Sequence, residues 1–347
     1  MKVYKYTPHI NLFLNSSSLK LTPSFQLNDP FEAKFSDEYI RSVKDQMISV
    51  LGSDELVGHV DKNLENNGKY RGIISLSEIE CDIKMLSHYA ENHSGGILEF
   101  TIEDIDDGID NIVSLFNGRS KTYNFGFVRY LESRNKKASL TSKDIFTGVC
   151  FEKYISWGEE KEVRYLSDFR NVDYVLIPKK ELVELYFKDY RKKFSEHSFD
   201  MDVHDFQLDN DLFRFIYKSF DYEKNEDKYI IGKPKKIRSI VGKMFENNIQ
   251  SYQESEVMIK LTIKNTMESY YPFHRAFSWD RLIDLGCPFH PMLKVNPSSL
   301  TGVYLGVNFD MESLDASLLT KFENLNGNIK SALISPNDFS HELVDVL

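Results

Sequence analysis

Cysteine is scarce in this chain. Its three residues, Cys81, Cys150 and Cys287, lie far apart in 347 positions and form no C-x-x-C pair. An odd, widely spaced trio supports neither a disulfide framework nor a structural zinc site, so all three read as reduced core residues and no metal ligand is assigned. Long apolar runs are missing as well. No stretch approaches the ~18 uninterrupted hydrophobic residues of a membrane span, and the opening MKVYKYTPHINLF lacks the apolar segment and small-residue cleavage site of a secretory leader. A cytoplasmic protein with no membrane partner is expected. Positive charge is in deficit too: 43 Lys and Arg against 53 Asp and Glu leave a formal charge of −10. Such a balance argues against a surface that grips nucleic acid or anionic lipid over its whole extent. No internal repeat or low-complexity segment is present.

Hydrophobic residues at 41% and charged residues at 28% are ordinary globular values, and aromatics reach 13%. These rule out a disordered, collagenous or coiled-coil chain and favour sheet-rich or mixed packing with aromatic-lined pockets. The length suits one large domain or two. Strands are expected at Val3 to Thr7, Leu19 to Thr22, Ile73 to Glu78, Ile97 to Phe100, Thr147 to Phe151 and Glu162 to Leu166, with turn chemistry at Asn28-Asp29-Pro30. Ser36 is placed to cap a helix whose apolar face uses Ile40, Val43, Met47 and Leu51, and a helical turn spans Ile83 to Asn92. From about Val172 to Leu293 the composition shifts to dense Lys, Asp, Tyr and Phe. Helices are expected there at Glu181–Phe194, Asp211–Phe220 and Lys235–Tyr252, with one strand at Val257 to Ile263. The strand Thr301 to Val307 and a helix from near Glu312 to near Gly327 follow.

Several clusters carry chemical promise, and each has a plain structural alternative. Asp104, Asp106, Asp107, Gly108 and Asp110 crowd like a calcium loop, yet aligning Gly108 with the sixth position puts Ile105 and Ser114 where oxygen ligands belong, so a solvated acidic loop is expected. His88 and His93 are five apart, roughly 140° around a helix, the wrong spacing for one metal. Ser75 and Ser77 share one face of their strand. Glu160 and Glu162, if they lie on a strand, also point the same way. Two such carboxylates repel, so one pKa rises unless a cation or ligand sits between them. Tyr89 belongs to the stripe Met85, Leu86, Tyr89 and Ala90, and its hydroxyl needs a polar partner or a cleft. Gly95 and Gly96 after it allow close backbone approach. Between residues 228 and 243, Lys228, Lys233, Lys235, Lys236, Arg238 and Lys243 occur without one acid, a local charge reversal. It is either a solvated helix face or a phosphate contact.

Tyr4-Lys5-Tyr6, Asn28-Asp29-Pro30-Phe31-Glu32, Ile74-Ser75-Leu76-Ser77-Glu78, the Leu86-Ser87-His88-Tyr89-Ala90 run with His93, Gly95 and Glu99-Phe100, then Glu160-Lys161-Glu162-Val163-Arg164 and Leu300 to Gly306, resemble the successive blocks of a widespread bacterial family of unknown function. That family is often met in mobile and defence-associated gene neighbourhoods. The blocks cover about 1–170 and 296–335, with Leu86 and Val163 where tryptophan is more usual. The resemblance implies a core in two parts, 1–170 and 296–347, around an insertion at 171–295.

A second, weaker similarity is to ADP-ribosyltransferases, through an early strand with a polar residue, a serine-bearing strand, an aromatic after it and a late E-x-E-V. It implies an α+β fold, a mixed-sheet core like that of the transferases interrupted by a mostly helical insertion, and NAD as the cofactor. By that likeness Glu162 stabilises an oxocarbenium-like transition state and Glu160 orients or deprotonates the acceptor. Tyr89 stacks on nicotinamide, and Lys5, Tyr6, Ser75, Ser77 and His88 line the NAD site. Lys5 stands where histidine or arginine is usual and lacks the guanidinium's bidentate fork. The expected function is a defence or toxin-type effector that transfers ADP-ribose to a nucleic acid or protein acceptor, or hydrolyses NAD. The alternative is a non-catalytic sensor of an anti-phage system that binds nucleic acid or a partner through Lys233, Lys235, Lys236 and Arg238. A metal-dependent nuclease using Asp29, Glu32 and Glu78 ranks last, for want of dense ligand spacing. Oligomeric state is not legible.

Overall fold

The computed structural model describes all residues except 52–57, 59, 61–68, 103–114, 117–122, 137–146, 169–171, 196–200, 210–211, 222, 245–248, 256–257, 264–278, 285, 287, 336, 338–340 and 347. The acidic run Asp104 to Asp110 lies outside them. The chain divides into two compact units, Met1–Asn171 with Leu293–Leu347, and Val172–Met292. In chain order the strands are β1 (Lys2–Thr7), β2 (Ser18–Lys20), β3 (Thr22–Pro23), β4 (Arg71–Ser77), β5 (Gly96–Thr101), β6 (Tyr123–Phe127), β7 (Arg129–Leu131), β8 (Glu152–Tyr154) and β9 (Glu162–Asp168). Then come β10 (Tyr174–Pro178), β11 (Met201–Asp209), β12 (Leu212–Asp221), β13 (Glu226–Ile231), β14 (Lys235–Lys236), β15 (Ile249–Glu254), β16 (Met258–Ile263) and β17 (His290–Lys294). Strands β18 (Leu300–Leu305), β19 (Ile329–Ile334) and β20 (His341–Asp345) complete the set. Strands and helices together make the protein α+β.

The first unit is built on a mixed sheet in the order β20-β19-β18-β5-β1-β4-β9-β6, with β3 beside β4. All its pairings are antiparallel except β18 with β19. Pairing is uneven along this order. β1 runs against β5 from Lys2↔Thr101 to Thr7↔Gly96, and β4 runs against β9 from Arg71↔Asp168 to Ser77↔Glu162. Between β1 and β4 the only register pair is Tyr4↔Ser77. The sheet therefore splits there, and side chains rather than backbone bridge the gap.

Local chemistry fixes the elements around the split. The helix Ile83–Tyr89 starts where Asp82 accepts a hydrogen bond from Met85 N at 2.8 Å, an N-cap. It buries Met85, Leu86 and the following Ala90 against Tyr4, Tyr6, Ile97 and Tyr304. Each large side chain so buried is worth about 1.5–3 kcal/mol, enough to hold a helix too short to stand alone. A Cβ on Gly95 would strike the Thr7 carbonyl, and one on Gly96 the Tyr304 carbonyl, so these glycines let the loop pass against β1 and β18. Ser36 caps the helix Asp37–Leu51, its hydroxyl accepting from Tyr39 N at 3.1 Å.

Two expected elements of this unit take another form. Residues Gly148–Phe151 are a 3₁₀ helix rather than a strand, closed by Cys150 N donating to Thr147 O at 2.9 Å. Residues 311–325 form short 3₁₀ turns, Met311–Ser313, Ala316–Lys321 and Glu323–Leu325, rather than one helix. Asp310 and Asp315 each bond a backbone N–H two residues on, a local alternative that competes with the α-helical ladder.

The second unit overturns the expectation of a mostly helical insertion. Strands β11, β12 and β13 form an antiparallel meander with β14 beside β12, while β10 pairs with β16 and β17, and β15 pairs with β16. The helix Lys179–Ser195 covers the expected Glu181–Phe194, and β16 covers most of the expected strand. Residues 212–221, however, are a strand. Phe213 and Phe215, two apart, are both buried, and Tyr186 of the helix meets both rings at 5.9 Å. Among the described residues of the expected helix Lys235–Tyr252, Ile237–Met244 are helical, while Lys235 and Lys236 form β14 and Ile249 to Tyr252 belong to β15.

Candidate functional site

A cleft of about 260 Å³ opens where the sheet splits. It is lined by Tyr4, Lys5 and Tyr6 of β1, Ser75 and Ser77 of β4, Met85 and Tyr89 of the capped helix, and Glu160 and Glu162. Lys20, Thr22, Gln26, Asn28, Glu32 and Lys153 complete the polar lining. Sequence reasoning places seven of these residues in one site, and the fold brings them to one cleft.

The two glutamates converge by a route that strand alternation does not give. Glu160 ends a 3₁₀ helix, Ile155–Glu160, and Lys161 adopts the left-handed conformation with φ 42°. Only Glu162 starts β9. A cation joins them: Lys153 Nζ lies 2.6 Å from Glu160 Oε2, 3.3 Å from Glu162 Oε2 and 3.1 Å from Glu32 Oε1. Arg164 adds the second positive charge. Its Nε donates to Glu162 Oε1 and its Nη2 to Glu162 Oε2, both at 2.8 Å, and Nη2 also reaches Glu32 Oε2 at 2.8 Å. Nη1 satisfies the Cys150 carbonyl at 2.6 Å. Three buried carboxylates thus face two buried cations, a network in which every charge has a partner.

Environment sets the protonation states. Burial alone raises the Glu162 pKa, but the Arg164 charge and hydrogen bonds, then Lys153 and the Ser75 hydroxyl, hold it down at about 2. Burial wins at Glu32, whose carboxyl is raised despite Arg164 and Lys153. Burial also lowers Lys5 to about 8, with Glu162 opposing and Lys20 assisting the shift. Neighbouring carboxylates are thereby driven to different proton affinities, as in sites that divide acid and base roles.

The remaining sequence-derived residues fall into distinct places. Tyr89 donates to Glu160 Oε1 at 2.5 Å, and its ring meets His88 at 6.3 Å between centroids. Ser77 donates to the Glu160 carbonyl at 2.7 Å and accepts from Ile79 N at 2.9 Å, so it braces the turn that carries Glu160. Tyr6 lines the cleft by its ring, while its hydroxyl donates to Ile79 O and accepts from Asp82 N, each at 3.0 Å. Lys5 Nζ donates to Ser75 O at 2.9 Å, a side chain closing the gap between β1 and β4. His88 is not among the cleft residues. It lines a neighbouring hollow with Asp82, Lys84, Ser156 and Glu159.

Sequence reasoning missed Lys153 and Lys20 and gave Arg164 no role, while Glu32 entered only the nuclease reading. Glu32 has both oxygens on Lys153 and Arg164, and Asp29 accepts from Phe31 N at 2.8 Å. Among the described residues no group of three His, Cys, Asp or Glu is arranged to hold a metal ion. Beyond the wall made by Asn28, Glu32 and Lys153 lies a second, mainly apolar cavity of about 480 Å³ with Phe31, Leu131, Arg134, Tyr154 and Trp157. Lys153 Nζ sits 4.7 Å above the Trp157 ring.

The basic stretch is not one helical face. Lys233 lies in a loop, Lys235 and Lys236 form β14, and Arg238 is on the following helix. Lys235 Nζ lies 5.4 Å from the Tyr190 ring centroid and 5.5 Å from that of Phe215, so it packs on aromatic rings. Arg238 sits over Tyr252 at 5.7 Å. No helix among the described residues is long and apolar enough to cross a membrane. No protein-family model, curated protein or solved structure matches the chain.

Proposed function

We propose that the cleft binds NAD and cleaves its bond between nicotinamide and ribose, passing ADP-ribose to a macromolecular acceptor or to water. The observation that carries this reading is the meeting of Lys5, Ser75, Tyr89, Glu160 and Glu162 around one cleft at the split of the sheet. As the C1′–N bond breaks, its electron pair goes to the pyridinium, which leaves as neutral nicotinamide. No proton donor is needed for that departure. The developing sugar cation calls for an ionised carboxylate, and Glu162 stays ionised down to about pH 2. The acceptor oxygen or nitrogen forms the new bond to C1′, and Glu160 takes its proton. Tyr89 and Lys153 hold Glu160 in place.

The experiment is incubation of the chain with adenine-labelled NAD and protein, DNA or RNA acceptors. Label on an acceptor identifies a transferase, and free ADP-ribose a glycohydrolase. Removing the Glu162 charge is expected to lower either rate about 100-fold or more.

One observation favours a second reading, a non-catalytic sensor that binds a ligand or nucleic acid in a defence system. Both Glu162 oxygens are already engaged by Arg164, and one of them also by Lys153. A cleft locked this way binds without turnover. Binding of labelled NAD with no nicotinamide released from any acceptor mixture is the result that selects it.

A further inference from the structure

Strand β13 is an open sheet edge. Among the described residues it pairs with β12 and with no other strand, and all six of its residues are exposed. Three of them are large and apolar: Tyr229, Ile230 and Ile231 are 52%, 40% and 60% exposed. Tyr229 and Ile231 lie on one face, where the Tyr229 ring meets that of His204 at 5.2 Å, and Ile230 lies on the other. An apolar strand bare on both faces and along its edge is a template for a further strand. Backbone direction limits how that strand can pair. Gly232 N donates to Phe215 O at 2.8 Å, so every second residue back from Gly232 spends its N–H and C=O on β12. Asp227, Tyr229 and Ile231 therefore aim theirs away from β12. The charges are complementary to their own reverse: Glu226 and Asp227 open the strand, and the exposed Lys233 stands just past its end. Asp227 Oδ2 also lies 2.7 Å from Lys218 Nζ, which holds the carboxylate at the edge. Two antiparallel copies bond only with their outward residues opposite one another. Setting Tyr229 opposite Tyr229 puts Asp227 against Ile231, and sliding one way from there puts Lys228 against Lys228. Sliding the other way sets Tyr229 against Ile231, Ile230 against Ile230 and Asp227 against Lys233, and leaves Lys228 facing Gly232. That register joins an aromatic to a β-branched residue and acid to base at both ends, the cross-strand pairs that stabilise a sheet.

We propose that β13 is the interface of a homodimer, paired antiparallel with β13 of a second copy about a two-fold axis at Ile230, with Tyr229 against Ile231 and Asp227 against Lys233. The same surface serves on both copies, so the assembly closes at two and covers the open edge. One added strand pair is a small interface, and a dissociation constant of about 1–100 μM is expected. The pairing lies within the second unit and is independent of any chemistry in the cleft.

The test is sedimentation equilibrium of the full chain over a concentration series spanning that range, where a monomer–dimer equilibrium is expected. Ile230→Lys sets two like charges against each other across the axis and is expected to abolish the dimer. Circular dichroism checks that this variant folds. Asp227→Lys and Lys233→Asp are each expected to weaken the dimer roughly tenfold, and the two substitutions together to restore it. Restoration is a result that loss of folding cannot give, so the charge exchange decides even where Ile230→Lys does not fold. A chain that stays monomeric across the series, or a dimer unchanged by a folded Ile230→Lys, overturns the proposal. Single charge variants that associate like the wild type, or a double variant that stays weak, overturn it as well. A monomer that binds nucleic acid through Lys233 assigns the segment to that partner instead.

Discussion

Tyr89 donates its hydroxyl hydrogen to Glu160 Oε1 at 2.5 Å, tying the helix that follows β4 to the turn that precedes β9. One oxygen of Glu160 is held by this phenol and the other by Lys153. The carboxylate is therefore oriented from two directions before any ligand arrives.

Replacing Tyr89 with phenylalanine removes that orientation and little else. Nicotinamide release is expected to fall several-fold, while urea unfolding shows a loss of only about 0.5–1.5 kcal/mol. A stability loss with unchanged turnover assigns Tyr89 to packing.

Arg164 is fully buried, and its guanidinium serves Glu162, Glu32 and the Cys150 carbonyl together. Arg164→Met leaves two buried carboxylates short of a partner and is expected to destabilise the first unit by about 3–5 kcal/mol. Adding Glu32→Gln removes one of the uncompensated charges. Chemical denaturation of both variants is expected to show the double variant more stable than the single one.

Lys5 and Glu162 give the pH dependence opposite ends. Lys5 is lowered from 10.5 to about 8, and the charged groups that shift it are Glu162 and Lys20. Between those values the unfolded chain holds a proton that the folded chain has lost, so stability rises with pH there. Lys5→Met removes the Lys5 part of this slope, leaving that of Lys20, which burial also lowers, and stabilises the protein at neutral pH by roughly 1–3 kcal/mol. Glu162 is lowered from 4.5 to about 2, so its contribution is complete above 4.5 and is lost as pH falls toward 2. Glu32, raised by burial, acts in the opposite sense, and a Glu32→Gln background isolates the Glu162 slope in acid-unfolding curves.

The basic stretch separates packing from contact. Lys235 lies on the Tyr190 and Phe215 rings, whereas Lys236 is exposed. Lys235→Ala is expected to lower stability by about 0.5–1 kcal/mol and Lys236→Ala to leave it unchanged. If the stretch binds nucleic acid, gel-shift affinity falls with salt and drops in Lys233→Ala and Lys236→Ala. Salt-independent or absent binding removes it as an interface.

What could be read in advance depended on how many residues an element needs to declare itself. The capped helix after Asp82, β1, β4 and β5 declare themselves locally, through caps, period and turn residues. Glu160 and Glu162 stand out because two like charges so close demand a cation. That cation, Lys153, is supplied by the tertiary fold, and no local pattern marks it. Residues 212–220 misled for a physical reason. Phe213, Ile216, Tyr217 and Phe220 fit helical spacing, while Phe213, Phe215 and Tyr217 fit a strand. Packing against Tyr186, with Phe213 edge-on and Phe215 stacked, is a long-range contact and decides for the strand. The split between β1 and β4 is likewise a property of pairing. It explains why Lys5, expected at the site from a resemblance alone, reaches the cleft.

The most direct test is nicotinamide release from NAD by the wild type beside Glu162→Gln and Glu160→Gln, each shown to be folded. The account predicts release by the wild type, a loss of about 100-fold or more in Glu162→Gln, and a loss in Glu160→Gln that is larger for transfer to an acceptor than for hydrolysis. Equal rates in all three proteins, or no release by any of them with protein, DNA and RNA acceptors present, contradicts it.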